Sequence, residues 1–283
     1  MSSTLLSLGH GYSAQALARR LNGDWRIIGT TRSPAKLAGL EAMGAEPLLF
    51  PSADIANAIG EATHILVSVG PDADGDPVLR AYRDAIFARA NDLEWVAYLS
   101  TTGVYGDHNG AWIDEDTALT PGTQRGIWRK GAEAAWAGIP DLPLHIFRLA
   151  GIYGPGRGPF SKVRKGTARR IIKPGQVFSR IHVDDIAQAL AASIEQPNPG
   201  RAYNLCDDEP APPEDVIAYA AELLGKPVPP AVPFDAADMS PMARSFYAES
   251  KRVMNQRIKS ELGVQLRYPD YRSGLTALLA EAE

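Results

Sequence analysis

Residues 4–14 read Thr-Leu-Leu-Ser-Leu-Gly-His-Gly-Tyr-Ser-Ala. An apolar run ends in Gly9-x-Gly11-x-x-Ala14, and a helical pattern follows at once, with Ala14, Leu17, Ala18 and Leu21 spaced i, i+3, i+4 and i+7. Each small residue has a mechanical reason. Gly9 permits a tight turn off a strand, Gly11 lets backbone approach a pyrophosphate, and Ala14 lets helix and strand pack closely. A pyrophosphate held there rests on the free N–H groups and the positive dipole end of the helix. An ordinary strand-to-helix turn is the bland alternative. The strand–turn–helix context favours dinucleotide binding, with Gly9, His10, Gly11, Tyr12 and Ser13 as candidate contacts.

Strand and helix signals then alternate. Runs at Trp25–Thr30, Glu46–Phe50, His64–Val69, Glu94–Ser100 and Leu144–Leu149 read as strands. Lys36–Met43, Pro77–Asn91 and Arg125–Ala137 read as helices between them. Val69 and Gly70, where the fourth strand ends, join the candidate cofactor contacts, as does Ser100 at the end of the fifth. This alternation predicts an α/β chain with a Rossmann-type, doubly wound parallel sheet. Residues 1–155 make the nucleotide-binding part. Residues 156–283, richer in Gly and Pro, complete the sheet and form a small C-terminal substrate lobe, with helices over Asp184–Glu195, Pro213–Leu224 and Glu249–Leu262.

Bulk properties bound the function. The 283 residues are 45% hydrophobic with net charge −4, an ordinary composition for a water-soluble chain with ample core. No global basic field argues for nucleic acid or a membrane surface. Cys206 is the single cysteine, so an intramolecular disulfide is excluded and no metal site is expected. No apolar run approaches the ~18 residues of a membrane span, and the expected location is the cytoplasm. The sequence leaves the oligomeric state open.

The end of the second strand speaks to the cofactor. A carboxylate about 20 residues past the glycines would bind the adenosine ribose of NAD. From Trp25 through Leu40 there is no Asp or Glu, and the strand ends Gly29-Thr30-Thr31-Arg32-Ser33. The planar fork of Arg32, flanked by the hydroxyls of Thr31 and Ser33, suits a 2′-phosphate. NADP is the expected cofactor, with NAD the alternative.

Further motifs accumulate in order: Leu99-Ser100-Thr101-Thr102-Gly103-Val104-Tyr105-Gly106, then Phe147-Arg148-Leu149-Ala150-Gly151-Ile152-Tyr153-Gly154-Pro155-Gly156, then Arg180-Ile181-His182-Val183-Asp184-Asp185-Ile186-Ala187. With the glycine turn, these resemble the extended short-chain dehydrogenase/reductase superfamily, in its epimerase/dehydratase branch. The resemblance covers the whole chain and implies a nicotinamide cofactor and a hydroxy or keto substrate, often a nucleotide-linked sugar. The tail, with Tyr203-Asn204-Leu205-Cys206-Asp207-Asp208 and Glu249-Ser250-Lys251-Arg252, resembles an atypical subgroup.

One departure matters. Counted on from Asp114-Glu115, the family's catalytic Tyr-x-x-x-Lys register falls on Arg125-Gly126-Ile127-Trp128-Arg129, so Arg125 stands at the tyrosine position and Arg129 at the lysine position, with Lys130 one residue further. A phenol near a cation can pass a proton at neutral pH, whereas a guanidinium cannot. The resemblance implies that Arg129 donates to the nicotinamide ribose and leaves Arg125 to hold an anion. Thr101 matches the family's active-site hydroxyl, and a strand-end Thr that satisfies backbone groups is the equal alternative. Tyr105 and Tyr153 are the nearest phenols, both more simply read as framework.

From Leu142 to Val183 there is no Asp or Glu, yet the stretch holds Arg148, Arg157, Lys162, Arg164, Lys165, Arg169, Arg170, Lys173 and Arg180. That segregation predicts a local positive surface beside the substrate cleft and a small anionic substrate, against the alternative of a solvated face. Asp72-x-Asp74-Gly75-Asp76 lacks calcium-loop spacing and reads as a loop. His182, Asp184 and Asp185 read as structural, the acids capping a helix. The lead expectation is an NADP-binding oxidoreductase or epimerase-like enzyme acting on a small anionic or sugar-like substrate. The rival is a non-catalytic NADP sensor that meets a partner protein.

Overall fold

The computed structural model describes residues 3–21 and 23–281. In chain order the first half runs β1 (Thr4–Leu8), α1 (Tyr12–Leu21), β2 (Arg26–Thr31), α2 (Leu37–Ala42), β3 (Glu46–Leu49), α3 (Asp54–Glu61), β4 (His64–Val67), α4 (Pro77–Ala88), β5 (Trp95–Thr101), β6 (Trp112–Ile113), α5 (Gln124–Ala137) and β7 (Leu144–Leu149). The second half adds β8 (Gly151–Tyr153), α6 (Phe160–Arg164), β9 (Arg170–Ile172), β10 (Arg180–His182), α7 (Val183–Glu195), β11 (Ala202–Leu205), α8 (Pro213–Leu223), β12 (Ala231–Pro233), α9 (Pro241–Phe246), β13 (Arg252–Val253), α10 (Gln256–Leu262) and α11 (Tyr271–Ala280).

Seven strands form one sheet in the order β11-β7-β5-β4-β1-β2-β3, every pair parallel. The apolar runs of β1, β4 and β5 are buried on both faces, which is what a covered parallel sheet demands. On one face, Leu5, Leu66, Trp95 and Phe147 pack in a core that includes Ile186, Leu190 and Ile258. On the other, Leu6, Ile65 and Tyr98 pack with Ile55, Ile86 and Trp136. A third cluster, with Tyr153, Phe160, Val216 and Leu275, holds the C-terminal lobe. The strand order reverses direction between β1 and β4, so the crevice above their C-terminal ends is where a ligand fits in a sheet of this kind.

The second half serves both parts. β11 extends the central sheet beside β7, and α7 packs on α1 through Ala16, Val183 and Ala187. The long helix expected over Glu249–Leu262 is not formed. Residues 252–253 instead pair with Trp112-Ile113, and the helix starts only at Gln256. The helix α3 and the C-terminal helix α11, absent from the sequence reading, complete the layers. No helix among the described residues is long and apolar enough to cross a membrane.

Candidate functional site

A cleft of about 2360 Å³ runs from the glycine turn, across the strand ends, to the C-terminal lobe. At its first end, Gly9 has φ +88, and a Cβ there would stand 3.0 Å from Ser68 Oγ and 3.1 Å from Val69 Cγ2. Neither the backbone nor the space admits a side chain. The turn is tied to β2: Gly9 N donates to Thr30 Oγ1 at 2.8 Å and His10 N to Thr30 O at 2.8 Å. The His10 ring is buried against Gly29, where an added Cβ would come within 2.8 Å of His10 Cγ. Burial first, then the charge of Arg19, lowers this imidazole to about 4, so it is neutral near pH 7.

Gly11 is the opposite case. Among the described residues only Gly9 O comes within 4 Å of an added Cβ, at 3.9 Å, so its α-carbon faces open space at the start of α1. This is a cradle that a side chain would fill and that backbone leaves free for a pyrophosphate. Tyr12 reaches across the cleft, its hydroxyl donating to Pro155 O at 2.9 Å, with Arg157 over its ring at 5.8 Å. Ser13 lines the same end. Thr31, Arg32 and Ser33 line the neighbouring wall, and Ser33 N donates to Thr31 Oγ1 at 3.2 Å. Lys36, on a single helical turn over Pro34–Lys36, lines that wall too. It adds a second cation that the sequence reading missed, although Pro34 just after Arg32 signalled the turn that returns it.

At the centre, Val69 and Gly70 form the end of the β4 side and α5 the opposite side. Thr123 Oγ1 accepts from Gly126 N at 3.2 Å and caps α5. A Cβ on Gly126 would stand 2.7 Å from Gly103 O, so α5 presses on the turn that follows β5. Arg125 and Arg129 of α5 line the cleft, as does Thr101, whose hydroxyl accepts from Gly103 N at 3.2 Å. Arg129 Nη1 donates to Leu99 O at 2.7 Å and to the Tyr98 hydroxyl at 3.0 Å. Its Nη2 lies 3.5 Å from a Cβ placed on Gly70. The guanidinium therefore bridges the ends of β4 and β5.

Under this floor lies a buried polar network. Arg148 and Glu133, 6% and 3% exposed, pair at 2.9 Å. Ser100 Oγ donates to Glu133 Oε1, and Arg148 Nη1 donates to the Tyr105 hydroxyl at 2.8 Å. Tyr105 donates onward to Asn204 Oδ1 at 2.7 Å, and burial pushes its phenol up to about 12. Ser100 lines the cleft, but its hydroxyl is spent on Glu133. The Tyr153 hydroxyl donates to Asp270 O at 3.3 Å, and burial raises that phenol as well. Both phenols are occupied in framework bonds.

The nine cations of 142–183 do not form one positive surface. Arg148 is turned inward, Arg170 Nε donates to Pro229 O, and Lys173 Nζ donates to Tyr247 O. Arg157, Lys162, Arg169 and Arg180 line the cleft. His182, rather than an aspartate, caps α7: its Nδ1 accepts from Asp184 N at 3.2 Å. Asp185 accepts from Arg267 N and Tyr268 N, which anchors the tail. Asp76 caps α4 by accepting from Val78 N and Leu79 N. Sequence reasoning also missed Lys251, which lines the cleft and donates to Gly106 O at 2.6 Å and Glu249 Oε2 at 2.7 Å. The segment 249–251 read as helix, which concealed the pair.

No protein-family model matches the chain. The Escherichia coli protein YeeZ is 26% identical over 278 residues, 93% of this chain and 95% of the relative. A 3-diazoavenalumate denitrifying reductase of a Streptomyces species is 30% identical over 148 residues, 48% of this chain and 47% of the reductase. Among solved structures, a conserved Silicibacter pomeroyi protein of unknown function has a TM-score of 0.94 at 64% identity, with 99% of both chains covered. A Methylobacillus flagellatus protein described as an NAD-dependent epimerase/dehydratase has a TM-score of 0.74 at 27% identity, over 100% of this chain and 99% of that one. The human epimerase family protein SDR39U1, solved with NADPH, has a TM-score of 0.75 at 18% identity over 98% of this chain and 99% of that one, a likeness of fold. This chain belongs to the family of the Silicibacter pomeroyi protein, and its fold is that of the NAD-dependent epimerase/dehydratase-like short-chain dehydrogenase/reductases.

Proposed function

We propose that this chain binds NADP across the C-terminal ends of its sheet and is an oxidoreductase or epimerase-like enzyme for a small anionic or sugar-like substrate. The observation that carries the reading is the open α-carbon of Gly11 at the N-terminus of α1, above the β1/β4 reversal. Tyr12 and Ser13 would hold the pyrophosphate on backbone N–H groups above the bare α-carbon of Gly11, whose own N–H donates to Gly9 O at 2.7 Å. Arg32 and Lys36, with the hydroxyls of Thr31 and Ser33, would hold a 2′-phosphate. The NADPH of SDR39U1 and the NAD dependence described for the Methylobacillus protein support a nicotinamide cofactor.

When bound, such a cofactor supplies hydride transfer to or from a carbon bearing oxygen. Thr101 would donate to that oxygen, and Arg129 would offer its remaining donors to the cofactor ribose. A guanidinium does not pass protons at neutral pH, so Arg125 would orient an anion. A second reading, a non-catalytic NADP sensor, is favoured by one observation: Arg129 Nη1 is committed to Leu99 O and the Tyr98 hydroxyl.

Isothermal titration with NADPH and NADH tests the cofactor. NADPH should bind roughly 10–150-fold more tightly, the worth of one charge-assisted contact, and Arg32→Ala should erase the difference. Equal affinities in the wild type would overturn the assignment. A panel of keto and hydroxy acids and sugars, read by NADPH absorbance, separates the two readings: turnover removed by Thr101→Ala marks an enzyme. NADPH binding without turnover of any panel member marks a sensor.

A further inference from the structure

The lobe end of the cleft is built unlike the cofactor end. Met242 and Phe246 of α9 line it and are 53% and 59% exposed. Phe178 and Tyr247 line it too, their rings meeting edge to face at 5.4 Å. Large apolar side chains left open inside a cleft mark a ligand surface, unlike the same residues scattered over a convex face.

Among them lies Arg180. Its Nη1 donates to Phe178 O at 2.8 Å and Ala211 O at 3.1 Å, which fixes the guanidinium beside the Phe178 backbone. None of the ion pairs among the described residues includes it. The acid that acts on it most strongly is Asp207, itself 1% exposed with neither carboxyl oxygen hydrogen-bonded among the described residues. Burial pushes Asp207 up to about 8 against the opposing pull of Arg180, and among the described residues no ion pair joins the two side chains. A half-buried cation without a counter-charge is stabilised by an arriving anion.

We propose that this end of the cleft selects an aryl carboxylate, its carboxylate on Arg180 and its ring against Phe178, Tyr247, Phe246 and Met242. The inference rests on the cofactor reading above and narrows its substrate to an aromatic acid. A nucleotide-linked sugar would set part of its polar surface against Phe178, Met242 and Phe246, whose side chains offer it no hydrogen bond.

The probes are cinnamate, cinnamyl alcohol and UDP-glucose, titrated into the protein with and without NADPH. Cinnamate should bind at least ~10-fold more tightly than the alcohol, in line with one charge-assisted contact, and more tightly than UDP-glucose. Met242→Ala with Phe246→Ala, both at exposed positions, should weaken cinnamate roughly tenfold and leave NADPH binding unchanged. Arg180→Gln should make acid and alcohol bind alike. If that variant does not fold, Arg180→Lys keeps the charge, loses the planar fork, and should still narrow the ratio. Acid and alcohol binding equally to the wild type, UDP-glucose binding best, or no cinnamate binding while NADPH binds, would each overturn the proposal. Loss of NADPH affinity alone, with cinnamate still bound, would instead overturn the cofactor reading.

Discussion

Two glycines two residues apart divide the work of the first turn. Gly9 is required by the fold, because its positive φ and the Ser68 and Val69 contacts leave no room. Gly11 has room, so its lack of a side chain serves something outside the chain. Gly11→Val should therefore remain folded by circular dichroism, with stability changed by roughly 1 kcal/mol, and lose NADPH binding in a titration. Gly9→Val should lower the melting temperature as well, through a strained backbone and a clash. A folded Gly11→Val protein that binds NADPH unchanged would move the cofactor elsewhere. Both glycines were legible from spacing alone, since small residues at a strand-to-helix turn have few other uses. Lys36 was not, because its place beside Arg32 depends on a turn that returns the chain. The fate of Ser100 was also hidden: only the structure brings Glu133, 33 residues on, to its hydroxyl.

At the scale of elements, α5 is held from both ends of its inner face. Gly126 seats it on the turn after β5, and Glu133 pins it to β7 through Arg148. The helix was readable from its apolar spacing, but the pair was not, since Arg148 sits in a stretch of cations that reads as surface. Burial on both sides makes breaking the pair costly, because the remaining charge has no water to turn to. Glu133→Gln should cost about 3–5 kcal/mol, measured by urea unfolding, and Ser100→Ala only about 1 kcal/mol. A loss under 1 kcal/mol for Glu133→Gln would mean that water reaches the site. The 249–262 segment shows the converse error. Its residues suit a helix, yet Arg252-Val253 pairs with Trp112-Ile113, Cys206 Sγ donates to Val253 O, and Asn255 Nδ2 donates to Cys206 O. Those tertiary bonds outweigh helix propensity, which is a weak preference per residue.

For the whole molecule, alternation made the parallel sheet readable, because strands buried on both faces are unbroken apolar runs. The lobe was not, since its short strands pair over two or three residues and leave little periodic signal. What the packed molecule adds is a set of titratable groups held in their neutral forms. Burial, as the largest cause, lowers His10, His145 and His182 each to about 4 from an ordinary 6.5. A base depressed in the folded state contributes stability that is present above pH 6.5 and lost as pH falls through 4. Each contributes up to ~3 kcal/mol over that window. Asp207 has the opposite sign: burial raises it from 3.8 to about 8, so its contribution is complete below pH 3.8 and lost as pH rises through 8. Between pH 4 and 6.5 the three histidines outweigh one aspartate. Above 6.5 these histidines are neutral in both states, and the aspartate lowers stability by ~1.4 kcal/mol per pH unit. Stability should therefore peak near pH 6.5, fall steeply toward pH 4, and fall by ~2 kcal/mol toward pH 8. Denaturant titrations at half-unit steps from pH 4 to 9 check this. Asp207→Asn should flatten the alkaline limb. His182→Asn keeps a capping acceptor for α7 but removes one titration, so it should make the acid limb shallower. It should also lower the plateau, because the imidazole packs against Tyr153 and Tyr268 at 5.1 and 4.1 Å. An alkaline limb unchanged in Asp207→Asn would show that its carboxyl ionises in the folded protein, and Arg180 would then carry a counter-charge at pH 7.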